Sequence, residues 1–323
     1  MRILPSILLA TAFLAPTGVS AQTYPDNAKV VKIIVPFGTG SSVDMLARAY
    51  SKVLSETEGL NVIVDNKAGA ETVVGVQALM ASPKDGYTML LTTSSTMTLN
   101  PVMTPNLPYD VFRDLTPLVG VGKVVVAMNL GPSTTFKTAR EFIAAAKASP
   151  GKYSCGSASA NSRLSCELLQ SQAGIKLLNV PYKATAMGLT ALAGGEIDMM
   201  FADPGSATPL WQGGRIRAVA QSGVTRTPTL PQVPTLREEG LPDYEVVAWF
   251  ASYFPAGTPA PAVTAMRQIL RKATQSKLIT DTVTGMGLEP MPLVGDELTK
   301  LNRNEIDKWT KVIREANIKF TNP

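Results

Sequence analysis

No histidine occurs in the 323 residues of this chain. Its absence excludes Ser-His-Asp and Cys-His catalysis, histidine-ligated metals and histidine proton shuttles. Neither a G-x-S-x-G elbow nor a G-x-x-x-x-G-K-[ST] phosphate loop is present. The glycine-rich turn near the start fails G-x-G-x-x-G because Val43 stands where the last glycine should be. Histidine-free enzymes exist, so catalysis is disfavoured rather than closed off. Cysteine is nearly missing too. Cys155 and Cys166 are the only two, either a disulfide closing a small loop or two buried thiols. Lys and Arg are scattered along a chain of formal charge +5, which leaves no basic cluster for nucleic acid. No cofactor or metal is expected.

One long apolar run exists, at the N-terminus. Arg2 precedes a mostly apolar stretch over 3–16, and Val19-Ser20-Ala21 forms a small-x-small pattern before Gln22. This is the layout of a secretory signal peptide over 1–21. Pro5 and Pro16 interrupt a run already short for a bilayer span, and no cysteine follows it to carry a lipid. The mature chain is therefore expected to begin near Gln22, soluble and exported, with formal charge +4 once Arg2 has gone. Such a charge favours an anionic solute only weakly, through a salt-screened field. The mature length exceeds the usual size of one core, so two domains are expected.

The stretch that organises the rest is 31–50, VKIIVPFGTGSSVDMLARAY. An apolar run ends in Gly38, Gly40, Ser41 and Ser42, then passes into apolar positions at helical spacing: Val43, Leu46, Ala47, Tyr50, Val53 and Leu54. That is strand, turn, helix. The first N–H groups of a helix lack internal partners and the helix dipole adds positive potential there, so an anion fits. The serines can cap the helix or donate to a carboxylate, and Asp44 suits the first turn. An ordinary βα turn with a serine cap is the competing reading.

Strand and helix continue to alternate. Strands are expected at 60–64, 87–92, 124–129, 152–155, 197–201 and 216–220, and helices at 71–81, 138–148 and 163–173. Parallel strands with helical crossovers are the economical arrangement, giving an α/β fold. The proline-rich stretch 100–114 is expected to be a surface excursion. A second small, polar turn over 156–162, before the helix at 163, is equally able to present N–H groups to an anion.

These residues also carry a family resemblance. The segments IVPFGTGSSVDMLAR, VDNKAGAETVVG, SPKDGYTMLL, NPVMTPNLPYDVFRDLTPL, NVPYKA, LAGGEIDMMF, GGRIRAVAQSGVTR, LPQVPTLREEGLPDYEVVAWF and FPAGTP follow one another across almost the whole mature chain. Their ordered set resembles the Bug-type, TctC-like extracytoplasmic solute-binding receptors of tripartite tricarboxylate transporters. The resemblance implies a two-lobed periplasmic-binding-protein (Venus-flytrap) fold with two crossing strands at the hinge, over 122–129 and 244–254. Lobe one would hold 22–124 and 248–323, and lobe two 125–247. A C-terminal helix from Asp296 would pack Leu298, Leu301, Ile306, Trp309 and Ile313 on lobe one.

By the same resemblance the chain is a monomeric periplasmic receptor that captures an organic carboxylate and delivers it to the membrane permease subunits of a tripartite transporter. The first turn would supply Phe37, Gly38, Thr39, Gly40, Ser41, Ser42 and Asp44. The facing turn would supply Ser157, Ala158, Ser159 and Asn161. Asp203 and the stretch from Ser94 to Thr96 would reach the cleft from the ends of two strands. Three departures from the family pattern stand out. Ser41 replaces the second of two adjacent glycines, Ala184 replaces a glycine after Pro181-Tyr182-Lys183, and Arg163 replaces a histidine. Arginine grips a carboxylate through two parallel N–H bonds, so Arg163 can engage a second carboxylate and favour a dicarboxylate; a solvated or structurally paired arginine is the competing reading. Two other roles remain open: a sensor presenting the same ligand to a membrane kinase, and an exported enzyme using Lys183 with a nearby serine.

Overall fold

The computed structural model describes residues 24–315 and Ile318. The expected signal peptide over 1–21 lies outside the described residues.

The apolar run VVKIIV forms β1 (Val30–Val35), whose last three side chains are all buried. It sits inside a sheet, between β2 (Asn61–Asn66) and β3 (Thr88–Thr93), and pairs with both in parallel. Helix α1 (Ser42–Glu58) follows β1 and buries the six apolar positions that the spacing picks out. Helix α2 (Val73–Met80) crosses back from β2 to β3. A π-helical turn, Ser95–Leu99, runs into α3 (Asn100–Met103). The chain then enters the long β4 (Leu115–Val125).

At Val126 the chain leaves this sheet and starts a second one with β5 (Ala127–Leu130). There follow α4 (Ala139–Ala148), β6 (Ser154–Ser157), α5 (Ala160–Ala173) and β7 (Leu178–Pro181). Next come α6 (Thr185–Gly194), β8 (Met199–Ala202), α7 (Pro204–Gln212) and β9 (Arg217–Gln221). β10 (Val247–Pro255) returns to the first sheet, followed by α8 (Ala260–Thr274), α9 (Lys277–Gly285), β11 (Glu289–Pro290) and α10 (Asp296–Glu315). The result is a six-stranded sheet, β11-β4-β10-β3-β1-β2, and a five-stranded sheet, β7-β6-β8-β5-β9. Each sheet has its own packed core, so the molecule is two-lobed.

The all-parallel expectation holds only away from the crossing segments. β10 runs antiparallel to β3 and β4, and β5 runs antiparallel to β8 and β9. A chain that passes to a second lobe and comes back must traverse the junction in opposite directions. Ser222 pins that junction. Its backbone exchanges bonds with both passages, donating to the Val126 carbonyl and accepting from the Val246 N–H. Its hydroxyl accepts from the Val126 N–H and donates to the Val246 carbonyl.

Four local expectations differ from the structure. The helix expected from Glu71 starts only at Val73, because Ala70, Glu71 and Thr72 take left-handed backbone angles. The 100–114 stretch is partly buried rather than a surface excursion, since Asn100, Met103, Tyr109 and Val111 face the interior. Helix α5 begins three residues before Arg163: Ser and Asn disfavour a helix interior, yet Ser159 caps the first turn and Asn161 and Ser162 find partners there. Finally, α10 outruns lobe one. Leu298, Leu301 and Ile306 pack on the first-lobe core, whereas Trp309, Val312 and Ile313 join the cluster that holds Leu168, Leu169 and Tyr244. Lys308 ends 4.0 Å from Glu245 beside the junction. A helix of 20 residues spans about 30 Å, long enough to cover both.

Cys155 of β6 and Cys166 of α5 form a disulfide, with Cα atoms 6.4 Å apart. Closing a loop of this size stabilises the fold by about 3 kcal/mol in the chain-entropy picture. Reduction should therefore lower the melting temperature by several degrees, and a Cys155→Ala/Cys166→Ala variant should melt at the reduced value and no longer respond to reductant. An unchanged melting curve on verified reduction would show that the bond adds nothing to stability.

Candidate functional site

Four helices start at one place. α1 begins after Ser41, α5 after Ser159, α6 after Ala184 and α7 after Asp203. All four starts lie at the ends of strands, and residues from each line one cavity of about 50 Å³ between the lobes. Ser41 and Ser42 come from the first lobe, and Ser159, Asn161, Thr185 and Asp203 from the second. Thr93 and Ser95 add hydroxyls from the end of β3, and Phe37 and Phe250 add aromatic walls. At about 10–15 Å³ per water-sized group, the cavity has room for about four such groups. No lysine or arginine lines it; the helix starts direct partial positive charge at it, which favours an anion, while Asp203 adds a carboxylate.

The lobes touch across this cavity. A Cβ on Gly38 would lie 2.9 Å from the Ala184 Cβ, and one on Gly205 2.6 Å from the Ser42 hydroxyl. Ser42 donates to the Asp203 carboxylate. Asp203 also accepts from the Ser206 N–H at 3.0 Å and the Ser206 hydroxyl at 3.1 Å, so it caps α7 and binds the other lobe together. Asn161 reaches the first lobe through its side-chain amide, 3.0 Å from Ser94 and 2.7 Å from Ser95. The Asn161 N–H donates to Ser95 at 3.1 Å.

The residues expected to bind a ligand divide by position. Phe37, Ser41, Ser42, Ser159, Asn161 and Asp203 line the small cavity. Ser94 stands just behind it, bonded to Asn161. Thr39 and Gly40 are exposed, and Gly38 forms the close approach to Ala184. Asp44 does not line the cavity; it builds the turn. Its carboxylate accepts from the Gly40 N–H at 3.0 Å and pairs with Arg48 at 3.0 Å. Gly40 meets this geometry with φ at 79°, a left-handed angle that suits glycine. Burial pushes the Asp44 carboxyl up, but the hydrogen bonds from Arg48, Gly40 and Asn66 outweigh it and hold the group below the ordinary carboxylate value.

Ser157, Ala158 and Arg163 line a different, larger cavity of about 420 Å³, with Glu71, Thr72, Tyr182 and Lys183. Phe37 lines both cavities. The N–H groups of Ala158 and Ser159, expected as ligand donors, each donate to the Ser162 hydroxyl at 3.0 Å. The turn thus satisfies its own donors through Ser162, a capping-box partner of Ser159. Arg163 pairs with Glu71 of the other lobe at 3.4 Å. Sequence reasoning missed Thr93, Ser162, Thr185 and Glu71. A stretch of small polar residues signals the first two only diffusely, and nothing local signals that Glu71 faces Arg163 from 92 positions away.

Comparison with known proteins places this architecture. The family model described as tripartite tricarboxylate transporter family receptor matches residues 46–318. Protein BugT of Bordetella pertussis is 32% identical over 317 residues, covering 97% of this chain and 96% of that protein. The R. palustris protein Rpa4515, solved with adipate, superposes with a TM-score of 0.85 at 28% identity, over 91% of this chain and 99% of that one. MatC from Rhodopseudomonas palustris, solved with bound malate, has a TM-score of 0.82 at 26% identity, over 88% of this chain and 98% of that one.

Asp44 yields a pH test. Its folded pKa lies below the ordinary value of about 3.9, so its contribution is fully present above that value and is lost as the pH falls through the lowered one. Asp44→Asn should cost about 1 kcal/mol at pH 7, and the gap to the unaltered protein should close as the pH falls below about 4. A gap that stays constant with pH, measured by denaturant unfolding, would remove Asp44 as the group that holds the turn.

Proposed function

This chain belongs to the tripartite tricarboxylate transporter receptor family, and on that premise we propose that it captures an organic carboxylate, preferably a dicarboxylate, between its lobes and delivers it to the membrane permease subunits of such a transporter. It is a solute-binding protein and not an enzyme. The observation that carries the carboxylate reading is the convergence of four helix starts on a hydroxyl-lined cavity at the lobe junction. Adipate and malate, seen with the two solved relatives, are both dicarboxylates.

In this reading the chain works in the periplasm as a monomer, after export by its first 21 residues. Lobe one comprises 22–124 and 248–323, and lobe two 125–247. One carboxylate sits where Ser41, Ser42, Thr93, Ser95, Ser159 and Asn161 meet, and Phe37 flanks the ligand frame. The hydroxyls that bond one lobe to the other when the cleft is shut turn toward the carboxylate when it is filled. Closure then follows from ligand contacts to both lobes at once: a ligand shifts the open–closed balance only by the difference in its affinity for the two forms. Micromolar affinity needs about 8 kcal/mol. Several charge-assisted hydrogen bonds at about 1.5–3 kcal/mol each, with a buried frame, supply that after ordering costs.

A thermal-shift screen of residues 22–323 against mono-, di- and tricarboxylates, aromatic acids, acidic amino acids and neutral sugars tests the reading. A ligand at a hundred times its dissociation constant stabilises by about 2.7 kcal/mol, a rise of several degrees in melting temperature. Shifts confined to carboxylates support the proposal. Shifts with sugars alone, or with none of the acids, would sink it.

A further inference from the structure

Glu71 and Arg163 meet across the lobes in the wall of the larger cavity, and the backbone beneath Glu71 is strained. Its φ and ψ are 48° and 47°, between Ala70 at φ 44° and Thr72 at φ 83°. Residues other than glycine rarely adopt this region. A buried polar network holds them there. Asn100 donates to the Glu71 carbonyl at 2.7 Å and the Thr72 hydroxyl at 3.1 Å, and Thr96 donates to Thr72 at 2.9 Å. Tyr109 ties the network to the π-helical turn, donating to the Thr96 carbonyl at 2.8 Å. The fold thus spends strain to aim one carboxylate at one guanidinium.

The two partners are unequal. The Arg163 side chain is 7% exposed and that of Glu71 27%. Their single contact of 3.4 Å is longer than the roughly 2.8 Å of a good charge-assisted bond and lacks the two-pronged form that arginine offers a carboxylate. Glu167, one turn along α5, lies close enough to feel the Arg163 charge, and Lys183 lines the same cavity. Glu71 is therefore the partner that can move out to solvent while Arg163 stays in place.

We infer that Glu71 is a specificity-determining residue, an internal carboxylate that occupies Arg163 until the second carboxylate of a ligand displaces it. This rests on the carboxylate reading above and adds the group that a second carboxylate must outcompete. With its first carboxylate at the helix starts, a diacid passes Phe37, which lines both cavities, and reaches Arg163. There two parallel N–H bonds replace one long contact, and Lys183 balances part of the added charge. A monocarboxylate leaves Glu71 where it is. Glu71 thus sets the threshold that every diacid must clear.

The test is isothermal titration of the unaltered protein, Glu71→Gln, Glu71→Ala and Arg163→Gln with succinate, glutarate, adipate and pimelate, each beside the monocarboxylate of equal chain length. Glu71→Gln should tighten at least one diacid by about tenfold, the worth of one charged hydrogen bond, while monocarboxylates stay within about twofold. Glu71→Ala should do the same, and Arg163→Gln should remove the preference for the diacid. Melting curves identify any variant that fails to fold, and the remaining one then decides. If the unaltered protein binds carboxylates but removing Glu71 weakens the diacids, or tightens both classes equally, Glu71 has no such role. If no carboxylate binds to any of the four proteins, the carboxylate reading itself falls, and this inference with it.

Discussion

A helix start leaves backbone N–H groups that no residue of the same helix can satisfy, and this protein brings four such starts to the junction of two lobes. Much of the local architecture follows from that. Ser41, Ser159 and Asp203 each cap their own helix with a side-chain oxygen. Ser162 turns back to serve Ala158 and Ser159, and Ser95 reaches over from the other lobe to serve Asn161. The partners are hydroxyls, amides and one carboxylate. A lining of fixed cations would attract an anion more strongly but would repel itself when the cleft shuts empty.

The two lobes are joined by a narrow link. The sheets are joined where β4 passes into β5 at Val126 and where the chain returns through Val246, and Ser222 binds both passages through backbone and hydroxyl. Helix α10 lies across the same region, with its first half on one core and Trp309 in the other. It therefore ties the two lobes together without adding a third covalent crossing.

The larger cavity obeys a different logic from the small one. The small one is lined by helix starts, hydroxyls and the Asp203 carboxylate, whereas the larger carries charges of both signs: Arg163, Lys183 and Glu71. Its geometry rests on a buried network of Thr72, Thr96, Asn100 and Tyr109 that lies entirely in the first lobe. That network is the reason α2 starts late and the 100–114 stretch turns inward. Two local departures from expectation thus have one cause: the fold holds Glu71 at an angle that its own backbone disfavours.

What the sequence determined by itself is whatever depends on near neighbours and on composition. The missing histidine set the chemistry that is out of reach, and the spacing of Val43, Leu46, Ala47, Tyr50, Val53 and Leu54 marked the buried face of α1, because helical periodicity is a local property. The order of family segments pointed to two lobes and to the turns at 37–42 and 157–161. Tertiary structure alone decided which cavity each residue enters. Asp203, at the start of its own helix, meets Ser42 of the other lobe. Ser159 and Arg163, four residues apart on one helix, line different cavities, and Arg163 meets Glu71 from the other lobe. Those outcomes turn on contacts between distant segments, whose energies appear only once both lobes have folded and their surfaces are brought together, and no local pattern encodes them.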